Sequence, residues 1–170
     1  MTRLTLAATL AANYGIYGPA FELGENRAVR SGSEEYLDSE KYEIRSRDWN
    51  RPGNIKNYLK QLNTIRRQNP ALLQTSDLRF LQADNGNVTA FLKESAARDN
   101  AVAVAISLAA GRQEFWMHFG GEEVGPPDKR RGVRVIENLV TGERHMLEWG
   151  GIRLTIDPAN DPALIFRCHA

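Results

Sequence analysis

Residues 87–108 read NVTAFLKESAARDNAVAVAISL, and this stretch decides the fold. Beyond Leu72 the apolar side chains follow the alternating spacing of a strand rather than the three-to-four-residue spacing of a helix. Two runs, 87–93 and 101–108, predict strands. The Arg98-Asp99-Asn100 tripeptide between them has the composition of a turn. The stretch therefore predicts a pair of neighbouring strands.

Short strands continue on both sides of this pair. Turn signals containing Gly, Pro, Asn or Asp separate them along the chain. The further predicted strands are 78–82, 113–119, 133–138, 145–148, 152–156 and 164–168. Seven or eight short strands at this spacing are typical of an antiparallel sandwich. Residues 73–170 are therefore expected to form an all-β sandwich domain.

The first 72 residues have a different pattern. Apolar residues predict a helix over 4–12, and residues 14–17 predict a short strand ended by Gly18-Pro19. A long loop follows, and a second helix is expected over 55–69, with Asn54 as N-cap and Asn69-Pro70 as its end. A strand, a rich loop and an amphipathic helix make the βα unit of a (β/α)₈ barrel. The fold class is thus α+β, with residues 1–72 the end of a barrel.

Composition restricts the partners. The chain has 170 residues, 22 basic and 21 acidic side chains and a net charge of +1, which gives no field for nucleic acid or an anionic membrane. Cys168 is the single cysteine, so the sequence offers no disulfide framework and no metal-ligand spacing, and a reducing cytoplasm is expected. The first apolar stretch is too short for a membrane span. With Arg3 as its one base, it is a poor signal peptide. We expect no cofactor and no metal.

The loop between the two predicted helices is the densest part of the sequence. It carries many aromatic side chains, which disordered segments lack, so an ordered loop facing a substrate is expected. One ten-residue stretch of the loop contains five carboxylates. Two of them could act as an acid–base pair, but the simpler interpretation is a solvated loop surface. The five carboxylates are Glu34, Glu35, Asp38, Glu40 and Glu43.

Three segments of this region resemble one family. They read YGIYGPAFEL (14–23), GSEEYLDSEKYEIRSRDW (32–49) and RPGNIKNYLKQLNTIRRQNPAL (51–72). They are similar to the α-1,4-glucan:maltose-1-phosphate maltosyltransferases of the α-amylase superfamily, near the carboxyl end of that family. The likeness continues more weakly through LVTGER (139–144) and LTIDPANDPALIF (154–166). The chain departs from the family pattern at Gly24, at residues 106–109 and at Leu164.

The resemblance implies a chemistry. The family transfers maltosyl units from α-maltose 1-phosphate to the non-reducing end of α-1,4-glucans with retention, which requires two carboxyl groups about 5 Å apart. It implies that these lie on earlier barrel strands, so this chain would hold no catalytic residue and be inactive alone. Lys41 and Tyr42 match the positions that hold the distal glucose of the donor. The chain would associate with the missing part of the barrel through the apolar flanks of its two helices.

Other interpretations stay open. The chain is alternatively a stand-alone α-glucan-binding module, or one half of a split enzyme. Arg47, Asp48 and Trp49 could bind phosphate, but we favour an Arg47–Asp48 pair that braces the loop against the final helix, with Trp49 as its anchor. The basic residues of the second helix, which include Arg66, suit a solvated face. Alternation over 115–119 predicts one core face and one face carrying Trp116 and His118, where Trp149 could complete a sugar platform.

Overall fold

The computed structural model describes residues 1–16, 21–37 and 44–170. The chain divides into two compact units. The first consists of Met1–Tyr14 and Leu62–Ala170, and the second of Gly15–Gln61. The assignment of residues 1–72 to the end of a barrel stays a prediction.

Helices are few and the remainder of the regular structure is β. The helices that lie wholly within the described residues are α1 (Thr2–Leu10), α2 (Lys56–Gln68) and a 3-10 helix (Pro70–Leu73). The strands are β1 (Leu78–Ala83), β2 (Val88–Glu94), β3 (Ala101–Ser107), β4 (Gln113–His118), β5 (Glu123–Val124), β6 (Arg131–Gly132), β7 (Val135–Asn138), β8 (Arg144–Met146), β9 (Gly151–Ile156) and β10 (Ala163–His169). Every strand pairing is antiparallel.

Eight strands form one continuous sheet in the order β8-β7-β10-β3-β2-β1-β4-β9. Strand β1 joins its two limbs, because residues 78–81 pair with β2 whereas Gln82 and Ala83 pair with β4. The two limbs share one apolar core. That core includes Ala90, Leu92, Ala103, Phe115, Met117, Ile136, Ile156 and Phe166. The antiparallel prediction for the β part is confirmed, but one sheet that turns at β1 replaces the two separate sheets of the expected sandwich.

The other face of β2 and β3 is covered by α1 and the 3-10 helix. Every residue of β3 is consequently buried, which explains why its sequence is apolar without interruption. On α1, the side chains of Leu4 and Ala8 are buried, at 3% and 0% exposure. Leu62 and Ile65 of α2 are likewise buried. The expectation that both helices leave exposed apolar flanks is therefore wrong for these residues.

Local boundaries differ modestly from the predicted ones. Helix α1 begins two residues earlier than expected, and Asn54 acts as the predicted cap, since its Oδ1 accepts from the Lys56 amide at 3.2 Å. Residues 14–16 have no regular secondary structure, and Tyr17 lies outside the described residues. The small β5–β6 pair was not predicted. No helix in the described ranges is long and apolar enough to cross a membrane.

Candidate functional sites

The predicted donor-binding residues, Lys41 and Tyr42, lie outside the described residues. So do three of the loop carboxylates, Asp38, Glu40 and Glu43. The structure describes the chain on either side of them, residues 21–37 and 44–61 of the second unit. These two ranges form the frame of the loop, and its contacts show how the chain is held on both sides of residues 38–43.

Glu25 fastens the two sides of the frame together. Its Oε2 accepts from Arg47 Nε at 3.1 Å and its Oε1 from Arg51 Nη1 at 3.0 Å. Arg51 also donates to the Leu23 carbonyl oxygen. Arg47 is thus a brace, as expected, with a side chain only 8% exposed. Charge-assisted bonds of this kind, partly shielded from water, fix a loop better than exposed ion pairs do.

The partners of that brace differ from the predicted ones. Asp48 does not bind Arg47; its Oδ1 accepts from the Asn50 amide at 2.9 Å and stabilises a local turn. Trp49 is 43% exposed, so the expectation that it anchors the loop is wrong. The Lys56 ammonium instead holds this turn, donating to the Trp49 carbonyl oxygen at 3.1 Å.

Backbone contacts fix the amino-terminal side of the frame. Ala28 and Tyr36 form an antiparallel bridge, supported by the Val29 amide donating to the Glu35 carbonyl oxygen at 2.9 Å. The Ile55 amide donates to the Glu22 carbonyl oxygen at 2.8 Å, which ties the start of the frame to the residue before α2. These bonds satisfy backbone groups that irregular structure would otherwise leave unpaired.

A cleft of about 440 Å³ lies within this frame. It is lined by Gly24, Glu25, Asn26, Arg27, Leu37, Arg45, Ser46 and Arg47. Its lining offers amide, guanidinium, hydroxyl and carboxylate groups, with three arginines to one glutamate, so it is rich in donors for the hydroxyl or anionic groups of a ligand. Leu37 directly precedes residues 38–43 in the sequence and Arg45 follows them by two positions, so the cleft is lined by residues on both sides of the segment that contains Lys41 and Tyr42.

The β unit, the part of the first unit that contains the strands (residues 78–169), holds a buried carboxylate that the sequence pattern did not predict. Glu94 is 0% exposed, and its Oε2 accepts from Arg79 at 3.1 Å, Arg98 at 2.8 Å and Arg130 at 3.2 Å. Its Oε1 accepts from the Gly125 amide at 2.8 Å. Arg79 lies on β1, Arg98 follows Glu94 by four residues, and Gly125 and Arg130 both lie between β5 and β6. We read the cluster as structural, because the arginine charges are balanced by carboxylates.

The predicted two faces of β4 are confirmed. Phe115, Met117 and Phe119 are at most 2% exposed and belong to the core. Trp116 and His118 lie on the opposite face with ring centroids 5.9 Å apart. Trp149 is 95% exposed. A cleft of about 460 Å³ adjoins Trp116.

Acid–base and metal chemistry find little support in the described ranges. These contain no group of three His, Cys, Asp or Glu residues placed to hold a metal ion. Burial raises the pKa of the Cys168 thiol to about 12, so this cysteine is a poor nucleophile. The hydrogen bond from Arg144 lowers the pKa of Glu137, with a smaller contribution from His169.

Comparison with known proteins identifies relatives along almost the whole chain. No protein-family model matches it. It is 43% identical to the α-1,4-glucan:maltose-1-phosphate maltosyltransferase of Methylacidiphilum infernorum, over 97% of this chain and 24% of that protein. The Burkholderia pseudomallei protein of the same name is 51% identical over 97% of this chain and 14% of that protein. The Corynebacterium glutamicum protein of the same name is 37% identical over 96% of this chain and 24% of that protein.

Two solved structures share the fold. A variant of AmyP in complex with maltotriose superposes with a TM-score of 0.52, at 19% identity, over 68% of this chain and 21% of that chain. The α-amylase of Geobacillus thermoleovorans, complexed with acarbose, superposes with a TM-score of 0.52, at 15% identity, over 73% of this chain and 25% of that chain. At such identities the likeness concerns the fold alone. By sequence, the chain belongs to the α-1,4-glucan:maltose-1-phosphate maltosyltransferase family, and it spans about a quarter or less of these relatives' length.

Proposed function

We propose that this chain is a working segment of an enzyme that transfers maltosyl units from α-maltose 1-phosphate to the non-reducing end of α-1,4-glucans. The observation that carries the proposal is its 37–51% identity to maltosyltransferases over nearly all of its length. Residues 1–72 would supply the end of a (β/α)₈ barrel and residues 73–170 the β domain beside it. The reaction would serve glycogen-type α-glucan synthesis in the cytoplasm.

Lys41 and Tyr42 are the proposed donor-binding residues. A lysine ammonium donates hydrogen bonds to sugar hydroxyls, and a tyrosine offers a ring face and a hydroxyl. The frame around Glu25 supports this role, because it fixes the chain shortly before and after the segment that carries them. The neighbouring cleft has the mixed polar lining that a maltosyl group requires.

The isolated chain is proposed to be inactive in transfer. A retaining mechanism needs one carboxylate free to act as nucleophile and a second carboxyl as acid, about 5 Å apart. Glu25 is the carboxylate in the cleft lining, and both of its oxygens accept bonds from arginines. It is therefore a brace, and the reacting carboxylates would come from the rest of a longer protein, with which this chain would associate.

A hybrid enzyme tests the proposal. In it, this chain replaces the aligned quarter of the Methylacidiphilum infernorum maltosyltransferase. We expect phosphate release from α-maltose 1-phosphate with a glucan acceptor, and none from the chain alone. Lys41→Ala should raise the KM for the donor about tenfold, the loss of one charged hydrogen bond. Lys129→Ala, an exposed lysine of the β unit, is the matched control.

Two results would contradict the proposal. A hybrid that melts like the parent relative but transfers no maltosyl units would overturn the assignment of this chain to the enzyme. An unchanged donor KM in the Lys41→Ala hybrid would overturn the role of the loop. Tyr42→Phe, which keeps the ring face, should have a smaller effect than Lys41→Ala.

A second candidate function is α-glucan binding without turnover. The specific observation that favours it is the cleft lined by Trp116, whose lining residues Glu148 and Gly151 flank the turn that carries the exposed Trp149. The two functions are compatible, since a long polymer can be held at one site and extended at another.

A further inference from the structure

We propose that the cleft beside Trp116 is a second site for α-1,4-glucan, formed by residues of the first unit alone. The identity of the ligand rests on the proposed function above. The cleft combines the flat indole of Trp116 with side chains of both charges, and Glu148 and Gly151 of its lining flank a turn that carries the exposed Trp149.

Trp116 forms one wall of the cleft in a fixed position. A Cβ atom at Gly151 would lie 2.1 Å from Trp116 Nε1, so the indole lies directly across the backbone of β9 at that glycine. The Trp116 amide donates to Asp84 Oδ1 at 2.6 Å, which fastens the strand beneath the ring. A ring held in place in this way loses little conformational entropy on binding, which favours a stacking contact with a sugar face.

Trp149 lies in the turn between two lining residues, Glu148 and Gly151, and its conformation is costly. It has φ of 52° and is followed by Gly150 with φ of 73°, in a two-residue turn closed by reciprocal hydrogen bonds between Glu148 and Gly151. Such turns favour Asn, Asp or Gly, whereas a bulky residue there is strained. Trp149 is also 95% exposed, so packing does not offset this strain. Exposure and strain together point to a contact made outside the chain.

The polar lining selects a neutral ligand. The cleft is lined by Trp116, Arg144, His145, Met146, Glu148, Gly151, Ile152 and Arg153. Arg144 is paired with Glu137 at 3.1 Å, which leaves Arg153 and Glu148 as one charge of each sign in the lining, so donors and acceptors are both present. Sugar hydroxyls accept from the first and donate to the second. A strongly charged polymer would find no complementary field here.

The cleft is also suited to an extended chain. Its lining comes from β8 at one edge of the sheet and from β9 at the other, together with the turn that Trp149 occupies. Met146, on the β8 side, is 74% exposed and extends the apolar surface. Several sugar rings in a row could therefore contact indole, thioether and polar groups in succession.

Calorimetry with maltoheptaose and with glycogen tests the inference on the whole chain. Trp149→Gly is the decisive variant, because glycine suits a positive φ and an exposed side chain supports no packing. We expect binding about tenfold weaker, the loss of one aromatic contact, with no decrease in Tm. Trp116→Ala should weaken binding at least as much. Phe80→Ala removes an aromatic that is 69% exposed outside the cleft, and it should leave binding unchanged.

Lys41→Ala, measured in parallel, separates this site from the donor loop. Binding that falls with Lys41→Ala and not with the tryptophan variants would overturn the second site and leave the proposed function intact. An active hybrid enzyme together with a chain that does not bind maltoheptaose would overturn the second site in the same way. A lower Tm in Trp149→Gly with full binding would make Trp149 structural. Loss of self-association in that variant, with binding kept, would make it a protein contact; both results overturn the inference.

Discussion

The side chains of Arg66 and Lys93 together hydrogen-bond to every backbone carbonyl from residue 8 to residue 12. Arg66 donates to residues 8, 11 and 12, and Lys93 donates to residues 9 and 10. The last carbonyls of a helix have no partner within the helix and carry its negative partial charge. Helix α1 has no basic residue in its own last turn. Two cations distant in sequence therefore cap it.

This capping takes place out of water. Lys93 is 0% exposed and Arg66 is 6% exposed. Burial lowers the pKa of both side chains, and the charge of Arg66 lowers the pKa of Lys93 further. The carbonyl groups that these side chains contact and the end of the helix both favour their charged forms and so oppose the effect of burial.

Arg66→Ala should lower the free energy of unfolding by about 3 kcal/mol, because it leaves buried carbonyl groups without partners. These include the Leu72 carbonyl, which Arg66 Nη1 also contacts at 3.1 Å. Urea unfolding followed by circular dichroism measures the change. Arg67→Ala, the exposed neighbour on the same helix, should change stability by no more than about 0.5 kcal/mol. Equal effects from the two substitutions would contradict the capping role.

The Glu94 cluster provides a second prediction. Glu94→Gln should destabilise the chain by about 3 kcal/mol, because a buried amide N–H₂ would face guanidinium donors and the arginine charges would lose their common partner. Thermal and urea unfolding both report this loss.

Glu114→Gln is the matched control for that substitution. Glu114 lies on the surface, 61% exposed, and its nearest arginine contact, Arg112, is at 3.5 Å. Its replacement should be nearly neutral, as is usual for exposed ion pairs. If both glutamine variants unfold at the same urea concentration, the buried cluster is not a source of stability.

Alternation of side chains is sufficient to predict most of the sheet. Strands β1 to β4 and β7 to β10 are predictable because turn residues delimit them and one face of several is buried. The β5–β6 pair is not, because its strands have two residues each, which is too few to display a period. The single sheet that turns at β1 could not be predicted from the sequence pattern either, because the pairing of its strands depends on contacts between residues far apart in the chain.

Charged residues are misleading in this sequence for one physical reason. A lysine or arginine in a helix or strand usually marks a solvated face, yet Lys93, Glu94 and Arg66 are buried. Their partners lie on other elements, as with Lys93 and the end of α1, 83 residues away. The brace at Glu25 shows the same limit, since Arg51 lies 26 residues further on. The positive φ of Trp149 could not be predicted, because tryptophan gives no signal for it.

Cys168 provides a prediction about pH. It is 7% exposed, and burial raises the pKa of its thiol from 9.0 to about 12, against a smaller opposite effect of a backbone hydrogen bond involving Ala103. Because the folded pKa is higher than the unfolded one, the folded state keeps a proton that the unfolded chain loses. The resulting contribution to stability is complete below pH 9.0 and is lost as the pH rises from 9.0 towards about 12.

The thiolate is the form that reacts with iodoacetamide, so the same shift predicts protection from alkylation. At about pH 9, where an unfolded cysteine is partly ionised, folded protein should be labelled at least about a hundred times more slowly than protein in denaturant. Mass spectrometry of timed samples measures both rates, and Cys168→Ser shows the background. Because Cys168 belongs to the core, its labelling should follow global unfolding and slow down when urea is removed. Rapid labelling of the folded chain would mean that β10 separates from its neighbours in the native state. That result would contradict the prediction that the Cys168 thiol is protected by burial.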